Sequence, residues 1–89
     1  MALNINSVGT ASVVTADGVI GSSGTETVIW AIETNNVVGV IYDGTGTGGT
    51  LRWVLASGGS VSFPQGLHCP DGVYVDLTGT GHVSVAYNQ

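Results

Sequence analysis

The sequence predicts an all-β fold, a small antiparallel sandwich or barrel of about eight short strands. Three observations carry that reading. Turn-forming residues recur at short, fairly even intervals, the runs between them are rich in Val, Ile, Thr, Trp and Tyr, and no window pairs a helical apolar period with good helix formers. With 89 residues there is room for one domain, residues 1–89, and one hydrophobic core, and 43% hydrophobic residues suffice to fill it.

The elements follow in chain order. Strands are expected over Thr10–Thr15 and Val19–Ser22, separated by the Ala16-Asp17-Gly18 turn. Thr25–Thr34 and Val37–Tyr42 come next, with a turn at Asn35-Asn36. Thr50–Leu55 follows the Asp43–Gly49 loop, and Ser60–Phe63 follows Ser57-Gly58-Gly59. Pro64-Gln65-Gly66 and Pro70-Asp71-Gly72 punctuate the stretch before Val73–Thr78, and Gly79-Thr80-Gly81 separates that strand from the last, His82–Tyr87. The proline pair also guards one edge, because neither residue has a backbone donor.

Alternation assigns faces. Val28, Trp30 and Ile32 share one face, as do Leu51, Trp53 and Leu55, then Val73, Val75 and Leu77, then Val83, Val85 and Tyr87, and these are read as inward. Arg52, Tyr74, Asp76, Thr78 and Ser84 lie opposite. Two strands carry a second, partly apolar face, one through Thr27, Ile29 and Ala31 and the other through Val37, Gly39 and Ile41. Such a face is either covered within a central strand or meets another subunit. The candidate interface is therefore Ile29, Ala31, Val37 and Ile41, together with Arg52.

Charge narrows the function. Only 8% of residues are charged, against about a quarter in an ordinary soluble domain, and Arg52 is the sole Lys or Arg. Thr, Ser, Asn and 15 Gly supply a neutral surface that is easily buried against a neighbour, which favours association over a monomer kept soluble by its net charge of −5. One arginine cannot neutralise a run of phosphates, so neither nucleic acid nor an anionic membrane surface is expected as a partner. No apolar run approaches the ~18 residues of a membrane span. Met1-Ala2-Leu3-Asn4-Ile5-Asn6 has neither the basic start nor the apolar stretch of a signal peptide, so synthesis in the cytosol is expected.

Each candidate for chemistry has a plainer alternative. Gly44-Thr45-Gly46-Thr47-Gly48-Gly49 spells the dinucleotide-binding G-x-G-x-x-G, but a strand pattern follows it where a phosphate-binding helix is needed. His68-Cys69, even with His82, gives three soft ligands where structural zinc takes four, and adjacent strand residues point to opposite sides. A Cys69–His82 nucleophile pair lacks a visible oxyanion hole. Asp17, Asp43 and Asp71 each precede a glycine, which is turn chemistry. Expectations are accordingly no enzyme, no catalytic or metal-binding residue, no cofactor, and no internal disulfide from the single cysteine. Trp30, Trp53, Tyr42, Tyr74 and Tyr87 leave open a module that stacks on sugar rings of a host-surface glycan.

From Val40 onward the chain resembles a loosely defined group of small structural proteins of tailed bacteriophages. The resemblance lies in Ile41-Tyr42-Asp43-Gly44-Thr45, in Gly49-Thr50-Leu51, and in Gly66 to Tyr87 with its Gly72-Val73-Tyr74-Val75 strand and Thr78-Gly79-Thr80-Gly81 hairpin. His68-Cys69 stands outside that pattern. The resemblance implies a short β-sandwich or barrel built into the virion and assembled in the host cytoplasm, acting as a capsid decoration (cement) protein or as a tail or neck component. It implies the major capsid protein or other virion proteins as partners, and no active site. A homo-oligomer is expected, with a trimer suited to three-fold capsomer junctions.

Overall fold

The computed structural model describes residues 10–89; the Met1–Asn6 stretch discussed above lies outside them. The described chain is all β: β1 (Thr10–Val14), β2 (Gly18–Ile20), β3 (Thr27–Asp43), β4 (Thr50–Leu55), β5 (Ser60–Cys69) and β6 (Val73–Asn88). Six strands replace the expected eight because two expected turns are absorbed into long strands, and a third, Pro64-Gln65-Gly66, falls inside β5. Asn35-Asn36 lies within β3 and Gly79-Thr80-Gly81 within β6.

All pairing is antiparallel, and the β3–β6 ladder, from Val28↔Asn88 to Asp43↔Val73, is the spine. Two short strands flank each side of it. On β6, β1 pairs along Val83–Tyr87 and β2 along Val73–Val75. On β3, β5 pairs along Thr27–Glu33 and β4 along Gly39–Asp43. A straight 17-residue strand would run ~55 Å at 3.3 Å per residue. The molecule is only 36 Å in its longest dimension, so the spine is bent.

Chain connectivity brings the two ends of the spine together. Cys69 pairs with Thr27 at the start of β3, and Val73 pairs with Asp43 at its end. The step from Cys69 to Val73 reaches at most ~14 Å. The spine therefore folds over into two layers, β1-β6-β3-β5 and β2-β6-β3-β4, each using one half of the long strands. One core cluster takes Ile29, Ile32, Val83 and Val85 from the first layer and Ile20, Ile41, Val73 and Val75 from the second.

The meeting point of the ends demands a glycine. Gly72 is buried at φ +104°, its N–H donates to Cys69 O at 3.2 Å and its carbonyl accepts from Gly44 N–H at 3.1 Å. A Cβ here would lie 3.1 Å from Gly24 N and 3.5 Å from Gly44 O, so only glycine lets three chain segments converge. Beside it, Asp71 N–H donates to Asp43 Oδ1 at 2.8 Å. Gln89 closes the end of β6. Its Oε1 accepts from Ser22 N–H at 3.1 Å, and its Nε2 donates to Ser22 O at 3.2 Å and to Thr27 Oγ1 at 2.9 Å.

At the opposite end the bend is made by a bulge. Asn35 faces His82 but Val37 faces Gly79, leaving Asn36, Thr80 and Gly81 unpaired in register. Asn36 takes the left-handed φ of 61°, and its Nδ2 donates to Thr80 O at 2.7 Å. A second bulge sits at Trp30, where Ile29 faces Tyr87 and Ala31 faces Ala86.

Each bulge on β3 shifts its side-chain alternation by one residue, and this corrects the face assignment. Thr27 and Ile29 point inward, then Ile32 and Thr34, then Val37 and Ile41, all buried. Val28 and Trp30, expected in the core, are half-buried on the outside, and Trp30 Nε1–H donates to Asn88 Oδ1 at 2.8 Å. On β6 two residues bulge together, so the parity is kept, and Val73, Val75, Val83, Val85 and Tyr87 are buried as the alternation predicts.

Two stability measurements check this packing. Ile41→Lys should unfold the domain, costing ~4 kcal/mol or more for an unpaired buried charge, whereas Val54→Lys on the exposed side of β4 should change stability by only about 0.5 kcal/mol, both read by denaturant titration. Gln89→Ala removes three hydrogen bonds that hold β6 to Ser22 and Thr27 and should cost ~1–2 kcal/mol by the same assay.

Candidate docking surface

The sequence-predicted interface residues separate in space. Ile29, Val37 and Ile41 are at most 2% exposed within the single chain, so they are core and offer no surface to a partner. The physical reason is the pair of bulges, which turns these odd-numbered positions inward on both sides of the bend. Ala31 is half-buried on the outer face of the first layer, in a lateral row of small side chains, Ala11, Ala86, Ala31 and Ser62. Arg52 is exposed on β4 at a third bulge, between the pairs Ile41↔Trp53 and Tyr42↔Leu51.

The second apolar face expected on the Val37–Tyr42 stretch, through Val37, Gly39 and Ile41, is the core face, and the residues that reach the surface are the even-numbered ones. Val38, Val40 and Tyr42 point outward from the second layer. Across the sheet they align in rows: Val19, Tyr74, Tyr42 and Leu51; then Asp76, Val40 and Val54; then Thr78 and Val38. Directly opposed residues in an antiparallel sheet share a face, so these side chains form one surface. Val38, Leu51 and Val54 are 44%, 54% and 63% exposed, three of the five large hydrophobics on the described surface. Asp76 is the one charged side chain in these rows. This face is the candidate docking surface of the described chain. Leu51 was expected inward; the Arg52 bulge moves it to this outer face.

The side of the sandwich between β4 and β5 is a second opening. Trp53, from the second layer, meets Phe63, from the first, edge to face with ring centroids 4.9 Å apart. Next to this contact lies a cleft of about 210 Å³ lined by Ile32, Thr34, Trp53, Val54, Leu55, Ala56, Gly59, Ser60 and Val61. Trp53 is 37% exposed at its lip.

The residues weighed for chemistry lie apart. Cys69 sits at the joined ends of the spine, opposite Thr27, while His82 lies at the bend, opposite Asn35. His68 is exposed on the outer face. Among the described residues no three His, Cys, Asp or Glu side chains cluster as metal ligands. Asp17 Oδ1 accepts from Leu77 N–H at 2.7 Å, and Asp43 is engaged with Asp71, in keeping with their roles as turn carboxylates. The glycine-rich segment after Asp43 is a turn between β3 and β4, closed by Gly49 N–H donating to Gly46 O at 3.1 Å.

Burial pushes the Cys69 thiol up from 9.0 to about 11, with the Asp43 carboxylate adding to the rise and the Arg52 guanidinium opposing it. The protonated thiol is the form that the fold favours. Below pH 9 both folded and unfolded chains keep it neutral and stability is unaffected; between pH 9 and pH 11 the unfolded chain ionises first, so stability falls. A melting temperature that declines across this window in the natural chain more steeply than in Cys69→Ala would verify the linkage. No protein family, curated protein or solved structure matches this chain.

Proposed function

We propose that this chain is a structural protein of a tailed-bacteriophage virion, a capsid decoration protein that binds the major capsid protein at capsomer junctions and stabilises the head. The observation that carries the reading is the outer face of the second layer, where Val38, Leu51 and Val54 stand exposed around Val40 and Tyr42. Burying such a face contributes ~25 cal/mol for each Å² of apolar surface removed from water, and the near absence of charge keeps the desolvation cost low. The resemblance of the Val40–Tyr87 region to small phage structural proteins supports the same reading. Assembly takes place in the host cytoplasm, with the chain acting as a homo-oligomer, a trimer at three-fold junctions.

The glycan-binding alternative draws less support from the geometry. Trp30 has its ring against Gly66 and its N–H on Asn88, and Trp53 has its ring against Phe63. Trp30 is thus engaged within the fold, and Trp53 is partly exposed beside the cleft with one aromatic neighbour.

The experiment is retention on empty phage heads. The natural chain should co-sediment with heads and raise their resistance to heat, and the double variant Leu51→Lys, Val54→Lys should lose both effects while keeping its far-UV spectrum. Absence of retention by the natural chain would refute the decoration role. Light scattering of the free protein reads the oligomer, with a trimer expected.

A further inference from the structure

The first two strands hold to the molecule differently from the others. Among the described residues β1 and β2 pair with β6 alone, whereas β3 and β6 pair with each other along the whole spine. Their register against β6 turns Ser12, Val14, Gly18 and Ile20 inward, opposite Val85, Val83, Val75 and Val73. Of these four only Ile20 is fully buried, and Val14 is partly buried beside the core. Ala11 and Val13 are exposed. Releasing both strands therefore forfeits the burial of one core side chain and part of a second. In return the backbone of the whole segment regains its freedom, the balance that favours local opening over global unfolding.

The link to β3 is suited to a hinge. Gly21 to Glu26 are all exposed, Gly21 and Gly24 take φ of +68° and +71°, and the turn bond from Thr25 N–H to Ser22 O is long at 3.4 Å. Side chains secure β2 at both ends. Before it, Asp17 Oδ1 accepts from Leu77 N–H at 2.7 Å. After it, Gln89 bonds both backbone polar atoms of Ser22 and the Thr27 hydroxyl. A Cβ on Gly21 would lie 2.6 Å from Gln89 Oε1, so this glycine admits the carboxamide where it sits.

We infer that β1 and β2 form a strap that opens from β6 as one unit, hinging at Gly21–Glu26, with Asp17 and Gln89 as its two latches. The spine and its pairing with β4 and β5 stay intact. The open state bares the outer edge of β6 along Val73–Val75 and Val83–Tyr87 and withdraws Ile20 from the core. This motion belongs to the single chain, whatever partner its outer face takes.

Native-state hydrogen exchange of the full chain, followed amide by amide in low denaturant, tests the strap. Amides bonded between the strap and β6 should share one opening free energy and one weak denaturant dependence, both below those of the β3–β6 amides. Leu77 N–H lies on β6 but bonds Asp17, so it should exchange with the strap. Gln89→Ala should speed exchange about 5- to 30-fold in β1 as well as in β2, although its hydrogen bonds reach only Ser22 and Thr27. A disulfide across the opposed pair in the double variant Ala11→Cys, Ala86→Cys should raise the protection of β2 together with β1, and reduction should restore the natural pattern. Equal protection and equal denaturant dependence in strap and spine would overturn the inference, because the strands would then open only with the whole domain. Unrelated opening energies in β1 and β2, or a disulfide that slows β1 alone, would overturn it too, because the strap would not be one unit.

Discussion

Everything in this domain depends on a long two-stranded spine that is made to bend. β3 and β6 pair along their whole length, yet their ends are drawn together by the short step from Cys69 to Val73 and by Gln89 reaching Ser22 and Thr27. A straight spine would present a single sheet with one face in water and no enclosed core. Bending converts the two halves into opposing layers, so that one set of inward side chains is shared between them. Among the described residues the buried core is thereby built from strands alone.

The same bend determines which surfaces remain available. Bulges at Trp30 and Asn36 reset the alternation of β3 twice, and each reset exchanges the buried and exposed sets. Val37 and Ile41 enter the core as a result, and Val38, Val40 and Tyr42 become the outer face of the second layer. The bulge at Arg52 does the equivalent on β4, sending Leu51 outward. Core formation and surface patterning are one event here, since a side chain turned out of the core by a bulge is placed on an outer face. The residual gap where β4 and β5 do not pair is filled in part by the Trp53–Phe63 contact, and the remainder is the cleft.

Thr27 and Cys69 illustrate how the closed end tolerates polar and ionisable groups. Thr27 is fully buried, but its hydroxyl donates to Thr25 O at 2.8 Å and accepts from Gln89, so burial carries no unsatisfied group. Cys69 is protonated at physiological pH, as an exposed thiol would be, burial only pushes its ionisation further up, and it packs as a small apolar side chain against the core.

What the sequence by itself determined is the class of the fold and the chemistry of the surface. Strand-forming residues and frequent turn signals specify an all-β chain, the inward face of β6 reads correctly because its paired bulge preserves parity, and a single arginine leaves the surface almost without positive charge. Tertiary structure decided the rest. Asn35-Asn36 and Gly79-Thr80-Gly81 have turn composition, and only their mutual pairing across the spine shows that they are a bend within two continuous strands. The inward face of β3 was not legible either, because a one-residue bulge leaves no local mark on a period of two and is set by which residues of β5 and β6 it must meet. For that reason the face expected outward through Val37, Gly39 and Ile41 is core, and which of the two faces of the Val37–Tyr42 stretch reaches the surface was settled by the folding of the spine.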